Sequence, residues 1–203
     1  MDSRRSTAPD YSRMKHMDTL ETIRSRASAI RLGEPAPTRE QLDTILAAGL
    51  NAPDHGRLAP WRYLVLQGAS TDLLGRAMAA LKRRQSPQAG ADIIEAARLK
   101  ARRAPVIIVA AARITKAHKV PQIEQILAVG AAVENMILAA HSLGVGTMWK
   151  TGDAAYDPEV KVALGFERDD QIVSFLYLGT PVTAGTPHAS DPQEHVRWAA
   201  AEA

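Results

Sequence analysis

Three short clusters gather the residue types of this chain best suited to binding a charged ligand. Arg26, Ala27 and Ser28 set a guanidinium and a hydroxyl two residues apart. That pair suits a phosphate, because arginine offers a forked donor matching phosphate oxygens and serine adds a short hydroxyl donor. The second cluster, Asn51 to Gln67 (NAPDHGRLAPWRYLVLQ), places His55 and Arg57 between Pro53 and Pro60. Both prolines fix φ near about −65° and remove a backbone donor, so the residues between them are expected to form a rigid loop rather than continue a helix or sheet. The third, Gly144 to Gly152 (GVGTMWKTG), holds Trp149, Lys150 and Thr151 between glycines that let backbone approach a ligand closely. Taken singly, each cluster has a plain structural account. An arginine at a helix end complements the dipole, and PDHG makes a turn. The chain contains no cysteine, which removes thiolate nucleophiles, thiolate metal sites and disulfides. Its six histidines lack the i, i+4 spacing and carboxylate company of a zinc site, so no metal is expected. A bound organic cofactor would supply what these side chains lack.

The elements that must position the clusters are legible around them. Asp18 to Ser25 reads as a helix ending at the first cluster. Thr38 to Leu50 reads as a second helix, with Thr38 as cap, Gln41 at the capping-box position, and Leu42, Ile45, Leu46 and Gly49 at helical spacing. Trp61 to Gln67 follows as a strand. Helix, rigid polar loop and strand together present side chains from fixed scaffolding. Pro105 to Ala112 is a nearly continuous apolar run, expected as a strand covered on both faces. Pro121 to Leu143 gives the longest helical signal and is apolar almost all round, which predicts burial. Its Ala128, Gly130, Ala131 and Ala132 would admit another helix at close range, from the same chain or a second copy. Asp157, Pro158 and Glu159 open a short helix that Gly165 closes, and Gln171 to Leu178 reads as the last strand.

Length and charge set the outer limits. At 203 residues the chain is long enough to bury a substantial core in one domain. Residues 1–16 carry Arg4, Arg5, Arg13 and Lys15 among serines and prolines, without an apolar run for a signal peptide or membrane span. They are expected to be a disordered extension before a domain over 17–203, with 182–203 as a C-terminal tail able to cross onto a partner subunit. The net charge of +3 is modest. The basic runs Lys82 to Arg84 and Arg98 to Arg103 are expected as solvated helix faces or ends. Neither contains the aromatic platforms that single-stranded nucleic acid requires.

The clusters, in this order, resemble the flavin-dependent nitroreductase family, in particular its small YdjA-like branch of NAD(P)H nitroreductases. Four blocks carry the resemblance: MDTLETIRSRAS, RLGEPAPTREQLDTILAAGLNAPDHGRLAPW, the long helix running into GVGTMWKTG, and DPEVKVALGF with IVSFLYLGTP. It implies an α+β fold, a mixed β-sheet surrounded by helices, in a homodimer that holds two FMN molecules at its interface. Arg26, Ala27 and Ser28 would grip the phosphate and ribityl end. Asn51 and His55 would contact the flavin, Asn51 standing where close relatives have arginine. Trp149, Lys150 and Thr151 would line the isoalloxazine, with the backbone around Gly152 close to N5. Two further departures are Ile30, where many members have a basic residue, and Arg57 and Ala59, where asparagine and glutamine are common. The activity implied is transfer of hydride from NADH or NADPH through flavin N5 to a nitroaromatic, quinone or similar small oxidant, in the cytoplasm, with neither nucleic acid nor membrane as partner. No side chain need act as a catalytic acid or base. The rival reading is a flavin-binding or interaction protein of the same fold that has lost turnover.

Overall fold

The structure, a computed structural model, describes residues 18–199. The N-terminal extension expected over 1–16 and the last four residues of the tail lie outside them. Five strands form one sheet: β1 (Arg31–Gly33), β2 (Trp61–Gln67), β3 (Val106–Ala112), β4 (Gly146–Lys150) and β5 (Gln171–Thr183). The helices are α1 (Thr19–Ser25), α2 (Arg39–Leu50), α3 (Thr71–Gln85), α4 (Ala91–Leu99), α5 (Gln122–Ser142), α6 (Pro158–Ala163) and α7 (Pro192–His195). Local signals act as expected at several ends. Thr38 and Gln41 form a reciprocal capping box on α2, and the Asp157 side chain accepts from Val160 N–H at the start of α6.

β3 is buried along its whole length because successive side chains point to opposite faces and both faces are covered. Ile107, Val109 and Ala111 join Phe175 and Tyr177 under Leu74, Ala77 and Leu81 of α3. Ile108, Ala110 and Ala112 join Leu176 and Leu178 under Ile45 of α2 and Val129, Val133 and Met136 of α5. Each of the buried Val, Leu, Ile, Phe and Met side chains among them contributes about 1.5–3 kcal/mol by leaving water.

Three features differ from the sequence expectation. The sheet is antiparallel in every pairing among the described residues, not mixed. The reason is connectivity. The α3–α4 hairpin returns the chain to the sheet end it left, so β3 runs against β2. Helix α5 carries it across once, so β4 runs in the same direction as β3, but β5 lies between those two strands and opposes both. Second, β5 continues past Leu178 to Thr183, because its end pairs with the short β1, Pro181 standing opposite Leu32. Third, α5 is not buried all round. Val129, Val133, Met136 and Ala140 are fully enclosed, whereas Ile123 and Leu127 are 58% and 61% exposed. An uncovered apolar stripe therefore runs along a helix that length and composition alone would also suit to a membrane.

Candidate functional site

The first cluster sits where α1 gives way to β1. Arg26 caps the C-terminus of α1 in extended conformation, and its guanidinium Nε lies 3.9 Å from Glu134 Oε1 on α5. Three residues on, Ala29 N–H donates to Thr147 O at 2.9 Å, docking this segment beside β4. That contact opens a cleft of about 910 Å³ lined by Ser28, Ile30, Arg31, Arg102, Arg103, Met148, Trp149 and Lys150 among others. Small-molecule sites typically measure about 300–1,000 Å³.

β4 is an edge strand with β5 as its partner. The Trp149 indole N–H donates to Val173 O at 3.1 Å, which pins the ring while its face stays partly exposed. Immediately after β4, Gly152 adopts φ 69°, ψ −175°, a conformation essentially restricted to glycine. Open space lies where its β-carbon would be. Thr151 and Gly152 line a second hollow of about 130 Å³ with Lys82, Gln85 and Lys100.

The Pro53–Pro60 loop is tightly built and lies elsewhere. Gly56, Arg57 and Ala59 all take positive φ, at 76°, 53° and 46°, and for the two non-glycine residues this stores on the order of 1–3 kcal/mol each. Asp54 holds the turn by accepting from Ala59 N–H at 2.7 Å, while its other oxygen, Oδ1, is buried without a partner among the described residues. His55 Nδ1 meets Glu124 Oε2 in the first turn of α5 at 2.5 Å. The Asn51 amide donates to Ala47 O at 2.8 Å and so closes the end of α2.

Of the residues nominated from sequence, one chain thus brings Ser28, Trp149 and Lys150 into a common cleft. Thr151 faces the neighbouring hollow, the Arg26 head turns toward Glu134, and Ala27 lies under the C-terminal segment at Gly185. Asn51 and His55 are not among the cleft residues. Conversely, Arg102 and Arg103, expected as solvated helix-end charges, line the cleft. Together with Arg31 and Lys150 they make four cations that form no ion pair among the described residues. Apolar Met148, an indole face, a hydroxyl and unpaired cations suit a flat conjugated molecule bearing negative charge.

Comparison with known proteins adds to this geometry. The profile of the Nitroreductase family matches residues 23–180. The chain is 43% identical over 167 residues to YdjA of Escherichia coli (strain K12), provisionally named an NAD(P)H nitroreductase, covering 81% of this chain and 89% of that one. Among solved structures, a nitroreductase-like family protein from Bacillus cereus superposes with a TM-score of 0.77 at 22% identity, covering 92% of this chain and 98% of the other. A protein from Desulfovibrio desulfuricans, provisionally named a nitroreductase and solved in complex with FMN, superposes at 0.71 with 24% identity, over 93% and 100% of the two chains.

Proposed function

The chain belongs to the nitroreductase family, and from that premise we propose that it is an FMN-dependent oxidoreductase that passes electrons from NADH or NADPH to a nitroaromatic, quinone or similar small oxidant. The observation that carries this reading is the cleft in which Ser28 and unpaired cations share one wall system with Met148 and Trp149. FMN fits that donor set, since it joins a flat conjugated ring to a phosphate dianion. When bound, it would supply the redox chemistry, accepting hydride at N5 and returning electrons to the oxidant.

The protein's part is to hold and tune. Ser28 and Arg26 bind the phosphate end, with Ala27 between them. Trp149, fixed by its bond to Val173 O, offers a flat wall to the ring. Lys150 adds positive charge where negative charge grows on reduction. Thr151 and the side-chain-free Gly152 leave room for close backbone approach. The cleft needs no acid or base of its own, because solvent reaches it.

Asn51 and His55 enter this scheme through a second copy. The exposed apolar stripe at Ile123 and Leu127 is what a homodimer would cover, and it lies on the helix whose first turn holds His55. In such a pair the strained loop of one chain completes the cleft of the other, and the tail, with Trp198 89% exposed, gains a surface to cover. The enzyme would act in the cytoplasm.

The test is spectroscopic. The purified protein should be yellow, bleach anaerobically with NADH or NADPH, and recover its colour with a quinone. A yellow protein that neither nucleotide bleaches is the flavin binder without turnover, and a colourless one that takes up no FMN refutes both readings.

A further inference from the structure

Resting on the FMN reading above, we infer that Arg102 and Arg103, with Arg31, form the phosphoryl-binding end of the cleft and take over the role left open where Ile30 stands. A phosphate monoester carries close to two negative charges at neutral pH, and the single guanidinium of the Arg26–Ser28 cluster does not balance them. Arg26 is drawn toward Glu134 at 3.9 Å, and Ile30 is apolar and 68% exposed. Charge must therefore come from elsewhere in the wall.

The turn after α4 provides it. Ala101 and Ala104 are buried, at 0% and 6% exposure, and anchor the backbone on either side, so the two arginines between them project from a fixed position. Asp72, the carboxylate that feels the charge of Arg102, is already committed. It accepts from Arg98 at 2.7 Å and from Arg76 at 2.9 Å, which leaves Arg102 and Arg103 without an ion-pair partner among the described residues. Tyr177, which feels the charge of Arg103, adds no counter-charge, since burial pushes its hydroxyl up to about 12. Arginine is the side chain best matched to a phosphoryl group, because its planar fork makes paired charge-assisted bonds. The cleft thus divides by chemistry, with Met148 and Trp149 for the ring and arginines beside Ser28 for the phosphate.

Equilibrium dialysis of the full-length protein against graded FMN or riboflavin tests the assignment, because the two flavins differ only in the phosphate. In R102Q/R103Q, FMN affinity should fall by about 10- to 100-fold, the scale of losing charge-assisted hydrogen bonds. Riboflavin affinity should stay unchanged and shows that the variant is folded. Inorganic phosphate should compete with FMN on the wild type more strongly than on the variant. Equal losses for both flavins would place the arginines against the ring and overturn the inference, as would an unchanged FMN affinity. A wild type that binds neither flavin overturns the FMN reading itself, and the inference with it.

Discussion

Gly185 in the segment after β5 lies so close to the carbonyl of Ser28 that a β-carbon built on it would collide with that oxygen. The C-terminal segment is thereby strapped over the first cluster, and residues more than 150 positions apart in sequence share one small volume. Backbone, not a flexible side chain, is what a larger residue would meet.

Replacing Gly185 by alanine should lift the strap at a cost of about 1–3 kcal/mol, the usual scale of overpacking. Limited proteolysis should then cut within residues 184–199 earlier than in the wild type, and flavin should be retained less well. A cleavage pattern and flavin content identical to the wild type would show that the contact constrains nothing.

Arg26 and Glu134 predict effects of opposite sign. Removing the guanidinium in R26A should weaken FMN retention by roughly 1.5–3 kcal/mol, while E134Q, which releases Arg26 from its 3.9 Å partner, should leave affinity equal or tighter. Dissociation constants for both variants decide the matter. Weaker binding in E134Q would mean that the pair positions Arg26 rather than diverting it.

Gly130 separates packing within a chain from packing between chains. Its β-carbon direction is open in the single chain, and glycine in a helix interior costs about 0.8–1.0 kcal/mol relative to alanine. G130L should therefore leave the fold of one chain intact or firmer, yet disrupt a close contact with a second copy. Size-exclusion chromatography with flavin absorbance should show dimer and FMN lost together. A yellow, active monomer would refute the two-chain site.

Acid stability should depend on Asp157. Burial pushes its carboxyl upward, but bonds from Val160 N–H and the Arg84 guanidinium outweigh this and hold it below the ordinary 3.8. The folded value is the lower one, so the contribution is complete above the unfolded value and is lost as pH falls through the folded value. Melting temperatures measured from neutral pH down to about 3, near the ordinary carboxylate range, should fall more steeply for the wild type than for D157N, which keeps a capping oxygen without the charge. At neutral pH, D157A should cost about 0.5–2 kcal/mol.

What the sequence disclosed was local. The box formed by Thr38 and Gln41, the strand from Trp61 to Gln67 and the cap at Asp157 depend on residues a few positions apart, and each is present as read. The placement of Arg102 and Arg103 was hidden, because it depends on where a helical hairpin returns the chain, which periodicity does not encode. The contact of Gly185 with Ser28 was hidden for the same reason. The extension of β5 was masked by Pro181, which usually ends a ladder and here sits opposite a three-residue edge strand. The stripe at Ile123 and Leu127 shows a different limit, since an apolar pattern does not say whether its own chain or another covers it.

The α3–α4 hairpin leaves the sheet at Gln67 and re-enters at Val106, its register partner on the adjacent strand. An excursion that starts and finishes at neighbouring points can be lengthened, shortened or recomposed without sliding the strands past each other. The same excursion ends in Arg102 and Arg103. The fold therefore offers natural variation and protein engineers an interchangeable cassette, through which the charge of the cleft can be rewritten while the scaffold beneath it stays in place.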